Sequence, residues 1–373
     1  MKKYFWILVA AGLGIGSIGV IDRLLYGHIH AAYGSIIPWG LWVALYIYFV
    51  GLSAGAFLVS SLVYVFRIKQ FEPLGRLSVF TALITLLVAL LFIWFDLGHM
   101  ERAWRVLLTP NFHSMMAWMV WLYTAYFILL LLEAYFLVFA KNMTMVRILG
   151  TIGVPLAIMF HGGVGALFGV IAARPYWHSG MYPIIFLVSA LASGGALITA
   201  ISLFVHDGWR KYQDAILSVG RLVLCFLLVD ILFNISEILV GLYGAIPHHV
   251  NPYLTVMKGP FWWVFWYVQL GIGMVVPVIL LSLPSIRATK IGLATAVICI
   301  LFGFIGVRLN IVIPALAAEE ITGLVSAYRS ARLSTYYFPS LMEWLVSIFI
   351  CSLGMVLFVL GQKFFPLEAK EEI

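Results

Sequence analysis

Ten long apolar stretches run through this 373-residue chain, and few ionisable residues are left inside them: Asp96, Glu133, His161, Asp230, Glu237 and Glu343. A charge at membrane depth is costly, so it is kept where it pairs, meets water or handles protons. The chain therefore reads as an all-α integral membrane protein whose work falls to a handful of buried polar groups. With 64% hydrophobic and 10% charged residues and a mean hydropathy of +1.08, a soluble domain is excluded.

A bilayer-spanning helix needs ~20 apolar residues. That places spans at roughly 4–21, 40–66, 75–97, 115–140, 147–173, 182–206, 215–245, 260–283, 288–313 and 339–362. The opening Met1-Lys2-Lys3 and the apolar run behind it have the outline of a signal peptide. No small-residue cleavage pattern follows, and Asp22-Arg23 ends the run, so it reads as a retained helix.

Lys and Arg set the orientation. With ten spans, 14 of the 22 fall on the side of the two termini, including Lys2, Lys3, Arg67, Arg147, Arg210, Arg287 and Lys370. The other 8 are Arg23, Arg102, Arg105, Arg174, Lys258, Arg308, Arg329 and Arg332. The excess marks both termini as cytoplasmic in a multi-pass protein of the cytoplasmic (inner) membrane. The net charge of +7 is thus a topology signal and no sign of nucleic-acid binding. Connections on the terminal side are short and basic. The opposite ones, 26–39, 98–114, 174–182, 246–259 and 314–339, are long and rich in aromatic, His, Pro and Gly residues. Loops of that second kind tend to carry function, although most of their Trp and Tyr residues read as bilayer anchors.

An internal repeat organises the middle of the chain. Gly75-Arg76-Leu77 recurs as Gly220-Arg221-Leu222, and Trp118 and Trp121 recur as Trp263 and Trp266, all 145 residues on. Gly51-Leu52-Ser53-Ala54-Gly55 is echoed loosely by Ala190-Leu191-Ala192-Ser193-Gly194, 139 residues on. Spans 2–5 and 6–9 thus form two four-helix bundles in parallel repeat, flanked by the first and last helices. The units are 1–39 (first helix and loop), 40–173 (first bundle), 182–313 (second bundle) and 314–373 (loop, last helix and tail). The small-residue runs 53–56 and 193–196 read as close helix contacts, with a ligand-facing backbone as the alternative.

Motifs for a resident redox centre or metal are missing. Cys225, Cys299 and Cys351 each stand alone in a span, so no iron–sulfur or structural zinc motif exists. Only His161 lies well inside a helix; His206 is at a helix end and the rest are in loops, which argues against bis-His haem. The His248-His249 pair is open to two readings, a metal site or a solvated loop.

Three polar groupings remain. At the end of span 3, Asp96, His99 and Arg102 share one small region, as a functional cluster or a helix-end ion-pair group. His161, about fourteen residues or ~21 Å from Arg147, lies past the midplane beside Gly162 and Gly163. On span 7, Asp230, Asn234 and Glu237 follow i, i+4, i+7 and share a face. That stripe suits a proton path which Glu133 would continue toward the cytoplasm. Pairing of Asp230 with Arg221 or Arg308 is the alternative.

Several of these residues carry a family resemblance. Tyr33-Gly-Ser-Ile-Ile-Pro38-Trp39-Gly40-Leu-Trp42, Gly51 to Gly55, Asp96-Leu97-Gly98 with Glu101-Arg102, and Arg174-Pro175-Tyr-Trp177 resemble the NrfD-like family of polysulfide reductase membrane subunits. Arg308-Leu-Asn310-Ile-Val-Ile-Pro314 and Tyr337-Phe-Pro339-Ser-Leu-Met-Glu343 resemble its ten-helix branch, with membrane subunits of alternative complex III, an uptake hydrogenase and the Dsr complex. The resemblance implies a quinone-reactive subunit without haem or iron–sulfur cluster, exchanging electrons between menaquinone or another quinone and an outer-face ferredoxin-like iron–sulfur partner. A multihaem cytochrome c is a further partner it allows. It puts the quinone in the first bundle, with Tyr46, Asp96, His161, Trp39, His99 and Arg174 around it. Tyr46 stands where shorter members place a quinone-contacting His, and His161 where they place a Tyr. Asp96 and His161 would be the catalytic donors and acceptors. Two other classes stay open: a proton-coupled transporter, and a structural anchor for soluble redox subunits.

Overall fold

In the computed structural model the described residues are 2–205, 207–244, 247–318, 323, 327, 330 and 333–365. His206, Arg329, Arg332 and Lys370, and the side chains of Lys2, Lys3, His248 and His249, lie outside the described part. Ten helices are long and apolar enough to cross a membrane, and the protein is a multi-pass membrane protein. They are α1 (Lys2–Tyr26), α2 (Leu41–Tyr64), α3 (Glu72–Asp96), α4 (Met115–Val138) and α5 (Met143–Gly169). Then come α6 (Tyr182–Phe204), α7 (Gln213–Tyr243), α8 (Val264–Ser282), α9 (Lys290–Ala317) and α10 (Leu341–Gly361). No strand occurs among the described residues. Lipid cannot satisfy backbone N–H and C=O groups, and helices satisfy their own.

α2 and α6 stand at the centre. Helices α2–α5 close a ring through the contacts α2–α3, α3–α4, α4–α5 and α2–α5. Helices α6–α9 close a second ring through the corresponding four contacts. The rings meet along α2–α6, α5–α6 and α2–α9, while α1 and α10 pair beside α3.

Glycine explains the closest joins. A Cβ on Gly55 would fall 2.0 Å from the Ala190 carbonyl oxygen, and one on Gly194 would fall 2.5 Å from the Gly55 Cα. The two small-residue runs therefore face each other across the ring-to-ring junction. Backbones this close gain dispersion contacts that larger side chains would block. Gly12, Gly16 and Gly19 do the same on α1, where an added Cβ would strike Ser352, Phe349 and Leu345 of α10.

Three expectations need correction. α1 does not stop before Asp22-Arg23 but continues to Tyr26. Arg23 is 3% exposed and turns inward, donating from Nε to the Phe95 carbonyl (2.9 Å) and from Nη2 to that of Leu97 (2.6 Å). It thus satisfies carbonyls that the end of α3 leaves open. The 246–259 connection is not all loop, since Pro247–Lys258 is a 12-residue helix. The 98–114 connection holds a 3₁₀ turn at Met100–Arg102 and a single helical turn at Arg105–Leu108.

The odd-numbered connections gather at what we term the long-loop end. There α8 begins with 12 residues wound as a π-helix, Val264–Val275, a winding that is rare at this length.

Candidate functional site

Four segments distant in sequence build a polar network at the long-loop end of α1, α2, α3 and α10. The Tyr33 hydroxyl donates to Asp96 Oδ1 (2.9 Å) at the last residue of α3. Tyr33 stacks on Tyr337 with centroids 6.1 Å apart, and the Tyr337 hydroxyl donates to Glu343. That hydroxyl also accepts from the Leu41 N–H (2.8 Å) at the start of α2. Glu343, fully buried, closes a capping box with Ser340 on α10 and accepts the Ala32 N–H at Oε2 (2.9 Å). Burial, with Asp96 and Glu343 alongside, pushes the Tyr33 phenol well above its ordinary range. Tyr33 therefore stays protonated and donates. Asp96 spends Oδ1 on Tyr33 and has no hydrogen bond at Oδ2 among the described residues.

One turn further along α2, Trp42 donates from Nε1 to the Glu343 carbonyl (3.0 Å), and Tyr46 follows at i+4. The Tyr46 hydroxyl shares a hydrogen bond with that of Tyr123 on α4. Tyr123 packs edge-on to Phe160, which stacks on Tyr126 at 4.2 Å. Tyr46 and Asp96 thus stand at the same end of one ring, each holding a phenol hydroxyl.

Other predicted residues go elsewhere. His99 is exposed and pairs with Glu101 (3.0 Å), which also meets Arg102 (3.4 Å). The chain leaves α3 at Leu97, which is extended (φ −65°, ψ 130°), and His99 and Arg102 form a surface group. Trp39 stacks on Trp177 at 5.8 Å. Arg174 donates to the carbonyls of Ala315, Leu316 and Ala318 at the end of α9. Both hold the junction between the rings.

His161 is fully buried at the centre and not beside Asp96. It donates from Nε2 to the Phe186 carbonyl (2.8 Å) on α6, leaving Nδ1 without a partner. No hydrogen bond or ring contact joins it to Tyr46. Gly51 makes the room: a Cβ there would lie 3.3 Å from His161 Cε1 and 3.7 Å from Arg308 Nη2. Arg308, also buried, donates to Ser189 Oγ (2.7 Å) and lies 4.6 Å over the Phe186 ring. Its Nε and Nη1 have no partner. Asp230 is buried as well, and Asn234 donates to both its carbonyl (2.8 Å) and Oδ2 (3.2 Å). No ion pair within 4.0 Å forms between Asp230 and Arg308. Glu133 lies buried in the other ring between α4 and α5, with both oxygens unpartnered. No hydrogen bond of the described residues connects it to Asp230.

Tyr33, Tyr337, Glu343 and Arg23 carry no site role in the sequence reading. Their contacts span up to 311 residues of separation, and no local pattern encodes such a pairing. The family-like strings Tyr33–Trp42 and Tyr337–Glu343 were the available signal, since both meet in this network.

A cavity opens at the long-loop end of α6–α9. Asn234, Glu237, Gln269 and Asn310 reach it, and the space between atoms there is about 560 Å³ with the open solvent at its mouth included. Tyr176, Tyr182 and Tyr253 supply aromatic walls.

Comparison with known proteins agrees with this architecture. Residues 31–318 match the family model described as Polysulphide reductase, NrfD. The chain is 36% identical to a selenate reductase subunit of Mesobacillus selenatarsenatis, over 100% of this chain and 95% of that one. It is 28% identical to the Hdr-like menaquinol oxidoreductase integral membrane subunit of Archaeoglobus fulgidus, over 90% and 87%. It is 22% identical to the menaquinone reductase integral membrane subunit of Nitratidesulfovibrio vulgaris, over 89% and 84%.

Proposed function

This chain belongs to the polysulphide reductase NrfD family, and from that premise we propose that it is the quinone-reactive membrane subunit of an oxidoreductase complex. The observation that carries the reading is the half-buried Tyr33–Asp96 pair together with the buried Tyr46–Tyr123 pair, both toward one end of α2. A quinone, when bound, carries two electrons and two protons between the membrane and a partner. Asp96 offers a free carboxylate oxygen for a hydroxyl donor, and Tyr46 or Tyr123 offers a hydroxyl to a carbonyl. The Tyr33 donation fixes the Asp96 carboxylate, and the Tyr337–Glu343 pair holds Tyr33 in place. These residues fit a ring with an oxygen at each end.

The long-loop end faces the outside in this reading, with the termini cytoplasmic. An outer-face ferredoxin-like iron–sulfur subunit exchanges electrons with the bound quinone. His161 and Arg308 form a polar centre between the rings, where His161 Nδ1 can accept a hydrogen bond. Asp230, Asn234 and Glu237 conduct protons along α7, and Glu133 serves the cytoplasmic side. The test is quinone-linked turnover of the complex purified through this chain. Asp96→Asn and Tyr46→Phe lower it at least tenfold, an activation cost of ~1.4 kcal/mol, with assembly unchanged. Unchanged turnover in both variants overturns the placement. For the proton path, Asp230→Asn lowers proton translocation in vesicles with turnover retained; unchanged translocation removes Asp230 from it.

A further inference from the structure

The α6–α9 cavity has features of a built site. Gln269 and Asn310 line it as a bonded pair, with the Asn310 amide donating to Gln269 Oε1 (2.7 Å). Among the described residues that bond leaves the Gln269 N–H₂ and the Asn310 side-chain oxygen without a further partner. Gln269 stands in the π-wound part of α8, and such winding redirects side chains and recurs at functional sites. A Cβ on Gly306 would lie 3.5 Å from the Gln269 backbone N and 2.9 Å from Val268 Cγ1, so α9 lies close against this segment. Glu237 makes no hydrogen bond or ion pair among the described residues and lines the same space.

The helix Pro247–Lys258 covers the cavity. Tyr253 lies directly on Gly241 of α7, where a Cβ would come within 2.1 Å of its ring. Tyr176 meets Tyr253 edge-on at 4.9 Å and accepts the Tyr182 hydroxyl at its carbonyl (3.0 Å). Glu237 is six residues before the end of α7 at Tyr243, or ~9 Å along the helix. The cavity thus lies at the depth where a head group carried on a lipid-soluble tail can enter.

The lining selects among ligands. Among the described residues it contains no Lys or Arg, so it offers no cationic side chain to a phosphate or another anion. Aromatic walls suit a planar ring, and a carboxylate and two amides in one lining suit an uncharged ring carrying two oxygen substituents. We propose that this cavity is a second binding site for the head group of a quinone or quinol, held between Glu237 and the Gln269–Asn310 pair. It is distinct from the Asp96 site in the other ring. The ligand class rests on the proposed function; the cavity and its chemistry do not.

Photolabelling of the purified complex with an azidoquinone, followed by peptide mapping, tests the assignment. Displaceable label is expected both near Asp96 and in the segment from Pro247 through α8. Ile238→Trp fills the cavity and removes only the second label. Asn310→Leu, which adds little bulk, weakens it about tenfold, as loss of a hydrogen-bonding group predicts. Label confined to the first ring, and unmoved by both variants, overturns the second site while leaving the proposed function intact. Label only in the second ring, lost in Ile238→Trp, supports the cavity and overturns the Asp96 placement. No displaceable label in either ring overturns both readings.

Discussion

At the long-loop end of α2–α5 the named hydroxyls are spent inside the protein: Tyr46 with Tyr123, Tyr33 with Asp96, Tyr337 with Glu343 and Leu41. At the same end of α6–α9, Glu237 and the outer atoms of Gln269 and Asn310 face open space instead. One region is a network whose hydroxyls bond to partners within the protein. The other is a lined room whose polar groups await a partner. Closed networks orient a carboxylate at little cost to the reacting molecule, because the orientation is set during folding. Open ones accept a ligand but do not align it in advance. On this comparison the Asp96 end is the candidate for chemistry, and the Glu237 end is the candidate for binding.

The largest test of the comparison removes the junction that holds both regions. Gly55→Leu places side-chain atoms where the Ala190 carbonyl now lies. We expect loss of the folded chain from detergent extracts, read by size-exclusion chromatography. A monodisperse variant would show that the two rings do not depend on this contact. Tyr337→Phe acts on the closed region alone. It strands the buried Leu41 N–H and removes a donor from Glu343, at ~1–3 kcal/mol for each unsatisfied group. The expected result is a clear fall in thermal denaturation temperature, with labelling in the second ring unchanged. Asn310→Leu is the matching change in the open region. Its side-chain partner among the described residues is Gln269, which also lines the cavity, so stability should move by less than about 1 kcal/mol. A larger fall would mean that the open region is also a stabilising network. His99→Ala is the smallest. The residue is exposed and meets only Glu101, and turnover and stability should stay unchanged, within ~0.5 kcal/mol for the latter.

Local patterns carried much of the fold. Apolar length located all ten spans, and the small-residue runs read as close helix contacts, although nothing in them said that Gly55 would meet Gly194. The i, i+4, i+7 stripe placed Asn234 and Glu237 on one cavity wall and Asn234 against Asp230. Local patterns failed where a residue's partner is remote. Arg23 looked like a span terminator because its acceptors, the carbonyls of Phe95 and Leu97, lie 72 and 74 residues away. Sequence proximity grouped His99 with Asp96, but the chain turns at Gly98 and sends His99 to Glu101. Trp39 and Arg174 were expected around a quinone; the structure shows their protein contacts, Trp39 on Trp177 and Arg174 on carbonyls at the end of α9, which no local pattern encodes. The 247–258 segment, with its His, Pro and Asn residues, reads as loop; docking of Tyr253 on Gly241 is what accompanies its helix. The family strings around Tyr33 and Glu343 were visible, yet nothing in either string names the other.

The central claim is that Asp96 and its neighbours form a quinone site. The most direct measurement is a fluorescence titration of a quinol-analogue inhibitor against the purified complex, beside Asp96→Asn and Tyr33→Phe. Saturable binding that weakens at least tenfold in Asp96→Asn (~1.4 kcal/mol), and less in Tyr33→Phe, is the predicted result. Binding of equal affinity in all three proteins, each shown to be folded, would contradict it.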